Sequence, residues 1–526
     1  MGAVRARFCA ARVSAARLCG ARFCGARVSA ARVSAAMALI ALGATACGHG
    51  HSAAPSPITS ATSTALAPTT SAAPAPPAAV RVWLTTADGT RKLAQQTSLK
   101  PTASGPTPAS TVQVNDSRQF QQFWGVGASI TGASAQLVNG LPAAARQQVM
   151  TALFSRDGGI GLAVLRQPLG ANDFSIGRSS YDDLPGGASD PTLSHFGLGK
   201  DATDILPLVR RAEQLNPNST VLLTPWSAPA WMKTGGSLIG GSLAATSETV
   251  YAQYLARTVQ AYASSGIRVG GLTLQNEPSF TPTSYPGMYL SAAQQQRLIP
   301  QVAAALSATG QSAVGVWALD DNYDRVADAQ QIVTDPAARG HLAGVAFHCY
   351  RGQTSQMAAF HRQNPAIPLA VSECTGGDWS PNFADNLRYD TESLLIDGIR
   401  NGAAWVSKWN VALDPKGGPT NGGCTNCRGL LTIDPTSHAV SYDEAYYAFG
   451  QVGRFVVPGA HVVASTTGGA GGLKTVAFRN ADSSHVLLAL NASNSAIDFR
   501  TTQRSTQATT SFDYHLAAGA VATFTW

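Results

Sequence analysis

Acidic residues are missing from the first 46 positions of this chain, which hold seven arginines and no lysine. Beyond them, 30 basic residues face 30 acidic ones, so the formal charge of +7 belongs to the leader. With that balance no basic patch for nucleic acid needs explaining, and no nucleic-acid partner is expected. Long apolar runs are also missing: residues 35–43 form the leader's apolar stretch and are too few to span a bilayer. Cysteine is sparse. Of eight, Cys9, Cys19, Cys24 and Cys47 lie in the leader, leaving Cys349, Cys374, Cys424 and Cys427. No second ligand pair at zinc spacing accompanies Cys424-Thr-Asn-Cys427, and no second His stands at ligand spacing from His348. No metal is therefore expected. What is present is ample apolar material: 44% of 526 residues are hydrophobic, enough for a large core and more than one domain.

Residues 1–36 repeat Ala-Arg-Val-Ser-Ala and Ala-Arg-Phe-Cys-Gly units of low complexity, and Met37 offers a second start. An Arg-rich flank before a short apolar run suits an export signal over residues 1–47. Ala44-Thr45-Ala46 before Cys47 resembles a bacterial lipoprotein cleavage box, although Ala44 stands where Leu is commonest. Lipidation of Cys47 and plain secretion both stay open, and membrane contact is expected only through such a lipid. Residues 48–78 are mostly Ser, Thr, Ala and Pro, which reads as a tether. The expected location is extracellular, or at the cell surface on a lipid anchor.

From about 120 to 410, short apolar runs such as Val221-Leu-Leu-Thr224 and Gly344-Val-Ala-Phe347 alternate with segments of helical spacing, such as 249–264 and 291–306. Alternation of this kind over this length predicts a (β/α)8 barrel, placed at 111–445. After Pro458 the pattern changes to short alternating strands, which predicts an antiparallel β-sandwich over 446–526. Residues 79–110 are expected to add N-terminal strands to it.

Two of the apolar runs end in glutamate: Leu272-Thr-Leu-Gln-Asn-Glu277-Pro278 and Leu369-Ala-Val-Ser-Glu373. They are 96 residues apart. A βα unit takes roughly 30 residues, so the interval is about three units. Both carboxylates are then expected on one rim, after strands such as the fourth and seventh. Two carboxylates across a sugar-sized gap are the equipment of a glycoside hydrolase. Neighbouring strand residues point to opposite faces. If His348 and Glu373 face the axis, Cys349 and Cys374 should meet outside it, within disulfide range. Cys424 and Cys427 lie in a Gly-rich loop, where a local disulfide is preferred to a redox pair or half a zinc site.

Seven motifs then occur in order: Phe123–Thr131, Leu165–Ser175, Pro225–Lys233, Gln275–Pro278, Phe347–Tyr350, Trp409–Leu413 and Tyr446–Gly450. With them the chain resembles glycoside hydrolase family 30, the glucosylceramidase-like and β-1,6-glucanase-like enzymes, from about residue 80 to the end. The resemblance implies Glu277 as acid/base and Glu373 as nucleophile. It also implies that Arg166, Asp173, Trp226, Asn276, His348, Tyr350 and Trp409 line the sugar subsite. Gly132 departs from it, since relatives commonly carry Asp there. The chemistry agrees: Arg166 suits holding Glu373 ionised, Asn276 suits the sugar 2-OH, and the two Trp suit a pyranose face. The implied activity is retaining β-glycoside hydrolysis without a cofactor, on a β-1,6-glucan-like glycan or a glucosylceramide-type substrate. β-1,6-Galactan and other family specificities are the alternatives. The rivals from other classes are a glycan-binding protein that has lost catalysis and a thiol redox or metal protein.

Overall fold

The computed structural model describes residues 79–102, 108, 110–466, 471–504 and 509–526. The residues read above as an export signal and a tether, Cys47 among them, lie outside the described residues. Eight parallel strands close a barrel: Gly125–Ser129, Val164–Leu169, Thr220–Pro225, Val269–Thr273, Gly315–Asn322, Leu342–His348, Leu369–Glu373 and Ala403–Asn410. Most of their residues are buried, which is why they read as apolar runs rather than alternations. The helices between them are amphipathic. In Glu248–Ser264 the inward stripe is Tyr251, Tyr254, Leu255, Val259 and Tyr262. Helix Ala292–Ala308 starts at Ser291, whose side chain accepts from the Gln294 backbone while Gln294 reaches back, a capping box.

The barrel interior is filled below the rim by Trp317, Trp405 and Trp124. Trp317 meets the other two edge-on, with centroids 5.6 and 5.5 Å away. The bulk of Trp317 demands a bare neighbour: a Cβ on Gly344 would lie 2.4 Å from its ring. This tryptophan plug leaves the C-terminal rim as the place for a site.

A second layer is a nine-stranded ladder, antiparallel except where Ile497–Arg504 pairs parallel with Ser110–Phe123. It folds back on itself. Phe512 and Phe499, near one end of the ladder, pack against Phe524 near the other, with centroids 5.1 and 5.9 Å apart. The result is the expected β-sandwich, and Arg81–Thr85 adds its N-terminal strand beside Val521–Thr525.

Two boundaries move. Ser110–Phe123 alternates buried and exposed residues over its first half and belongs to this ladder, not to the barrel. Residues 444–453 form a buried helix rather than sandwich strand. Its Gln451 donates to Thr85 Oγ1 at 2.8 Å and accepts from Thr523 at 2.6 Å, while Gly453 packs on Val126 of the first barrel strand. The helix thus clamps sandwich to barrel. Among the described residues, no helix is long and apolar enough to cross a membrane.

Candidate active site

The carboxylates come together as their spacing implied. Glu277 follows the fourth barrel strand and Glu373 ends the seventh. Both approach the same imidazole: His348 Nδ1 lies 3.4 Å from Glu277 Oε1 and 3.9 Å from Glu373 Oε1. The chain reaches Glu277 through a left-handed residue, with φ +43° at Glu277 itself. A non-glycine residue there is uncommon and costs strain. Its N–H is tied to the Asp320 carbonyl at 2.9 Å, and the preceding Asn276 N–H to the Pro225 carbonyl at 2.8 Å. These bonds to strands three and five hold the turn.

Glu373 is fastened by both oxygens. Arg166 Nη1 donates to Oε2 at 2.6 Å, and the Tyr350 hydroxyl donates to Oε1 at 2.8 Å. Arg166 is fully buried and its other nitrogen donates to Asn276 Oδ1 at 2.7 Å and Asp320 Oδ2 at 2.8 Å. With its carbonyl oxygen occupied, Asn276 turns its amide N–H groups away from Arg166, as a contact to a sugar hydroxyl requires. Arg166 itself reaches no surface. It is a positioning residue for Glu373 rather than a subsite wall, a correction forced by its zero exposure.

His348 needs the same correction. It is 0% exposed and sits between the two glutamates and Asp320, whose Oδ1 is 3.1 Å from Nε2. Burial disfavours its charge, but Glu373, Asp320 and Glu277 outweigh that and push it up to about 10. It therefore supplies positive charge beneath the carboxylates. Asp320 was not singled out by sequence. Burial would raise it, yet Arg166, His348 and the Ser372 hydroxyl at 2.7 Å hold it well below the usual carboxylate range. Thr273 adds a bond at 2.9 Å. The one available signal was the Asp320-Asp321-Asn322 run that closes the otherwise apolar strand Gly315–Asn322. Asn322 also reaches Glu277, at 3.4 Å.

Trp226 and Trp409 were expected as pyranose walls. They instead stack on each other, centroids 4.8 Å apart and 18° from parallel, with 3% and 2% exposure. Arg166 lies 5.1 and 5.7 Å from their centroids. The pair is a cation–π seat for Arg166, and only an edge remains for a ligand. Trp409 Nε1 points toward Asp173 Oδ2 at 3.4 Å. Burial and the nearby Glu373 charge push the Asp173 carboxyl up to about 8, and its Oδ1 has no partner among the described residues. Tyr350 stands at the mouth, 41% exposed. Both cysteine pairs form disulfides, Cys349–Cys374 with Cα atoms 5.3 Å apart and Cys424–Cys427 at 5.7 Å. The first locks the strand ends that carry His348 and Glu373.

Two family descriptions match in tandem: the glycosyl hydrolase family 30 TIM-barrel domain over residues 123–456 and the family 30 beta sandwich domain over 459–524. The chain belongs to glycosyl hydrolase family 30. Its relatives include the endo-1,6-beta-D-glucanase neg1 of Aspergillus fumigatus, 32% identical over 76% of this chain and 84% of that protein. They also include the lysosomal acid glucosylceramidase of Mus musculus, 27% identical over 72% and 76%. A solved structure, the endo-beta1,6-glucanase BT3312, superposes with a TM-score of 0.78 at 26% identity, covering 85% of this chain and 99% of that one. As a family 30 glycoside hydrolase, the protein is an enzyme acting on a carbohydrate or glycoconjugate.

Proposed function

We propose that this protein is an exported, retaining β-glucosidase-type enzyme that cleaves a β-1,6-linked glucan by double displacement. The observation that carries the reading is the arrangement around His348: two carboxylates on one imidazole nitrogen, at 3.4 and 3.9 Å. That shared contact puts both carboxylates on one gap, and the retaining course rests on the family rather than on this spacing. Glu373, with both oxygens hydrogen-bonded and facing Arg166, is set to attack the anomeric carbon. Glu277, less tightly held, gives its proton to the leaving oxygen. Water then enters with Glu277 as base, attacks the glycosyl–Glu373 ester and restores the β configuration. Asn276 donates to the sugar 2-OH, and the Asp173 carboxyl meets a hydroxyl remote from the reacting carbon.

Substrate choice rests on the relatives, among which endo-1,6-glucanases match at higher identity than the glucosylceramidase does. Export rests on the Arg-rich leader, with delivery outside the cell or to its surface through a lipid on Cys47. Product analysis on β-1,6-, β-1,4- and β-1,3-glucans, β-1,6-galactan and glucosylceramide tests the specificity, with oligosaccharide release from the first expected. An NMR time course tests the stereochemistry. The β-anomer should appear first, and initial α-anomer would overturn the nucleophile role.

A further inference from the structure

The loop between the second barrel strand and helix Leu206–Leu215 contains a group of charges that the glycosidase site does not use. Asp182, Asp190 and His195 each offer one ligand atom, and these atoms lie within 4.8 Å of one another. The loop is closed at its base, where the Gly197 N–H bonds the Tyr181 carbonyl at 2.8 Å. Asp182 sits on one limb, with Asp190 and His195 on the other.

Asp182 is the anomaly. It is 1% exposed, and neither of its carboxylate oxygens has a hydrogen-bond partner among the described residues. The Trp231 indole N–H is given to the Asp182 backbone carbonyl at 3.1 Å and also lies close to the carboxylate. Its neighbour Ser180 gives its hydroxyl to Asp183 at 2.6 Å. A carboxylate buried without donors is costly, and here it points at a second buried carboxylate. Asp190 is in contrast well held: it accepts from the His195 N–H at 2.7 Å, Thr192 Oγ1 at 3.0 Å and Ser194 Oγ at 3.0 Å. Those bonds fix its orientation, and His195 Nδ1 lies 3.0 Å from Asp190 Oδ2. Ligand atoms on one ion with bonds of ~2.0–2.2 Å stand a little over 3 Å apart, so that pair is already near coordination distance. The His195 side chain is 66% exposed, which gives an ion a route from solvent.

We infer that Asp182, Asp190 and His195 bind a divalent cation of the zinc type. Two carboxylates and one imidazole favour a first-row transition ion over Ca2+, which prefers oxygen alone. The ion neutralises Asp182 and cross-links the loop that carries Asp173 at its start to the turn at 190–195. Its role is to brace that loop, beside Trp231 of the Pro225–Lys233 segment. Sequence spacing gave no sign of it, because the three ligands follow no helical or Cys/His pattern.

Tag-free, full-length protein, stripped with a chelator and desalted, is titrated with Zn2+, Mn2+ and Ca2+, following bound metal and thermal midpoint. The expected result is one Zn2+ per chain attributable to this loop and a midpoint raised by about 3 °C at a hundredfold excess over the dissociation constant. Asp182→Asn should lose that equivalent and most of the rise. Since it keeps His49 and His51, zinc held by the segment at 48–78 would persist in it. His195→Ala, at an exposed position, should fold normally and bind Zn2+ at least about tenfold more weakly. Equal zinc binding by wild type and both variants, or an unmoved wild-type midpoint, overturns the site. A response to Ca2+ alone overturns the imidazole ligand. If Asp182→Asn does not fold, His195→Ala decides.

Discussion

Tyr350 gives its phenolic hydrogen to Glu373 Oε1 at 2.8 Å, on the opposite oxygen from the one Arg166 holds. Burial of its hydroxyl end and the Glu373 charge push Tyr350 well above its ordinary value, so it remains a donor at any working pH. Once Glu373 forms an ester with the sugar, that oxygen loses its negative charge and the bond weakens. Tyr350 therefore orients the free carboxylate. A hydrogen bond to a charged group is worth ~1.5–3 kcal/mol, so Tyr350→Phe should lower kcat/KM by about tenfold to a hundredfold with the fold intact. A loss under about twofold would refute the orienting role.

The two glutamates should separate by leaving group. Glu277→Gln should cut hydrolysis of a natural glycan by about 10²–10⁴ while retaining much of the first step on an activated aryl glycoside, which needs little acid help. Glu373→Ala should abolish both. Because Glu277 also serves as base in the second step, kcat/KM and the burst of released aryl alcohol, compared on the two substrate types, make the test. Near-normal turnover by Glu373→Ala would remove it as nucleophile.

Asp320 touches no substrate in this arrangement, yet it balances Arg166 and His348. Removing one partner of a buried ion pair leaves charge uncompensated, typically at ~3–5 kcal/mol. Asp320→Asn should destabilise the protein by about 3 kcal/mol in urea denaturation, because Glu373 and Glu277 still offset part of the charge. An unchanged unfolding midpoint would show that the pair is not coupled to the fold.

Asp173 gives a pH signature. Its carboxyl, pushed up to about 8 from the ordinary 3.8, holds a proton more tightly in the folded protein than in the unfolded chain. Its share of stability is complete below the unfolded value and is lost as pH rises toward about 8. Ionised Asp173 also adds negative charge next to Glu373. Asp173→Asn should keep activity near pH 6 and lose a component of the alkaline decline near pH 8. The kcat/KM profile of wild type against variant checks this, and identical alkaline limbs would refute it.

The linear sequence determined the elements that depend on local pattern. Buried parallel strands are apolar over most of their length, so the barrel showed in runs such as Val221–Thr224. The 96-residue interval counted out three βα units and placed Glu277 and Glu373 after the fourth and seventh strands. Strand alternation put Cys349 and Cys374 on the outer side, where they bond. The boundary at Ser110–Phe123 failed because a half-buried strand reads the same whichever sheet it joins. Asp320 was out of reach for a sharper reason. Trp317 belongs to the barrel's interior cluster, so strict alternation puts Leu319 inside and Asp320 outside. Leu319 and Asp320 both adopt left-handed backbone, at φ +70° and +57°, and the register with the sixth strand slips there. That bulge sends Leu319 into the outer core and turns Asp320 inward onto Arg166 and His348. The same limit applies to Trp226 and Trp409. Sequence marks an aromatic residue, but only packing decides whether its face meets a sugar or, as here, another ring and a buried guanidinium.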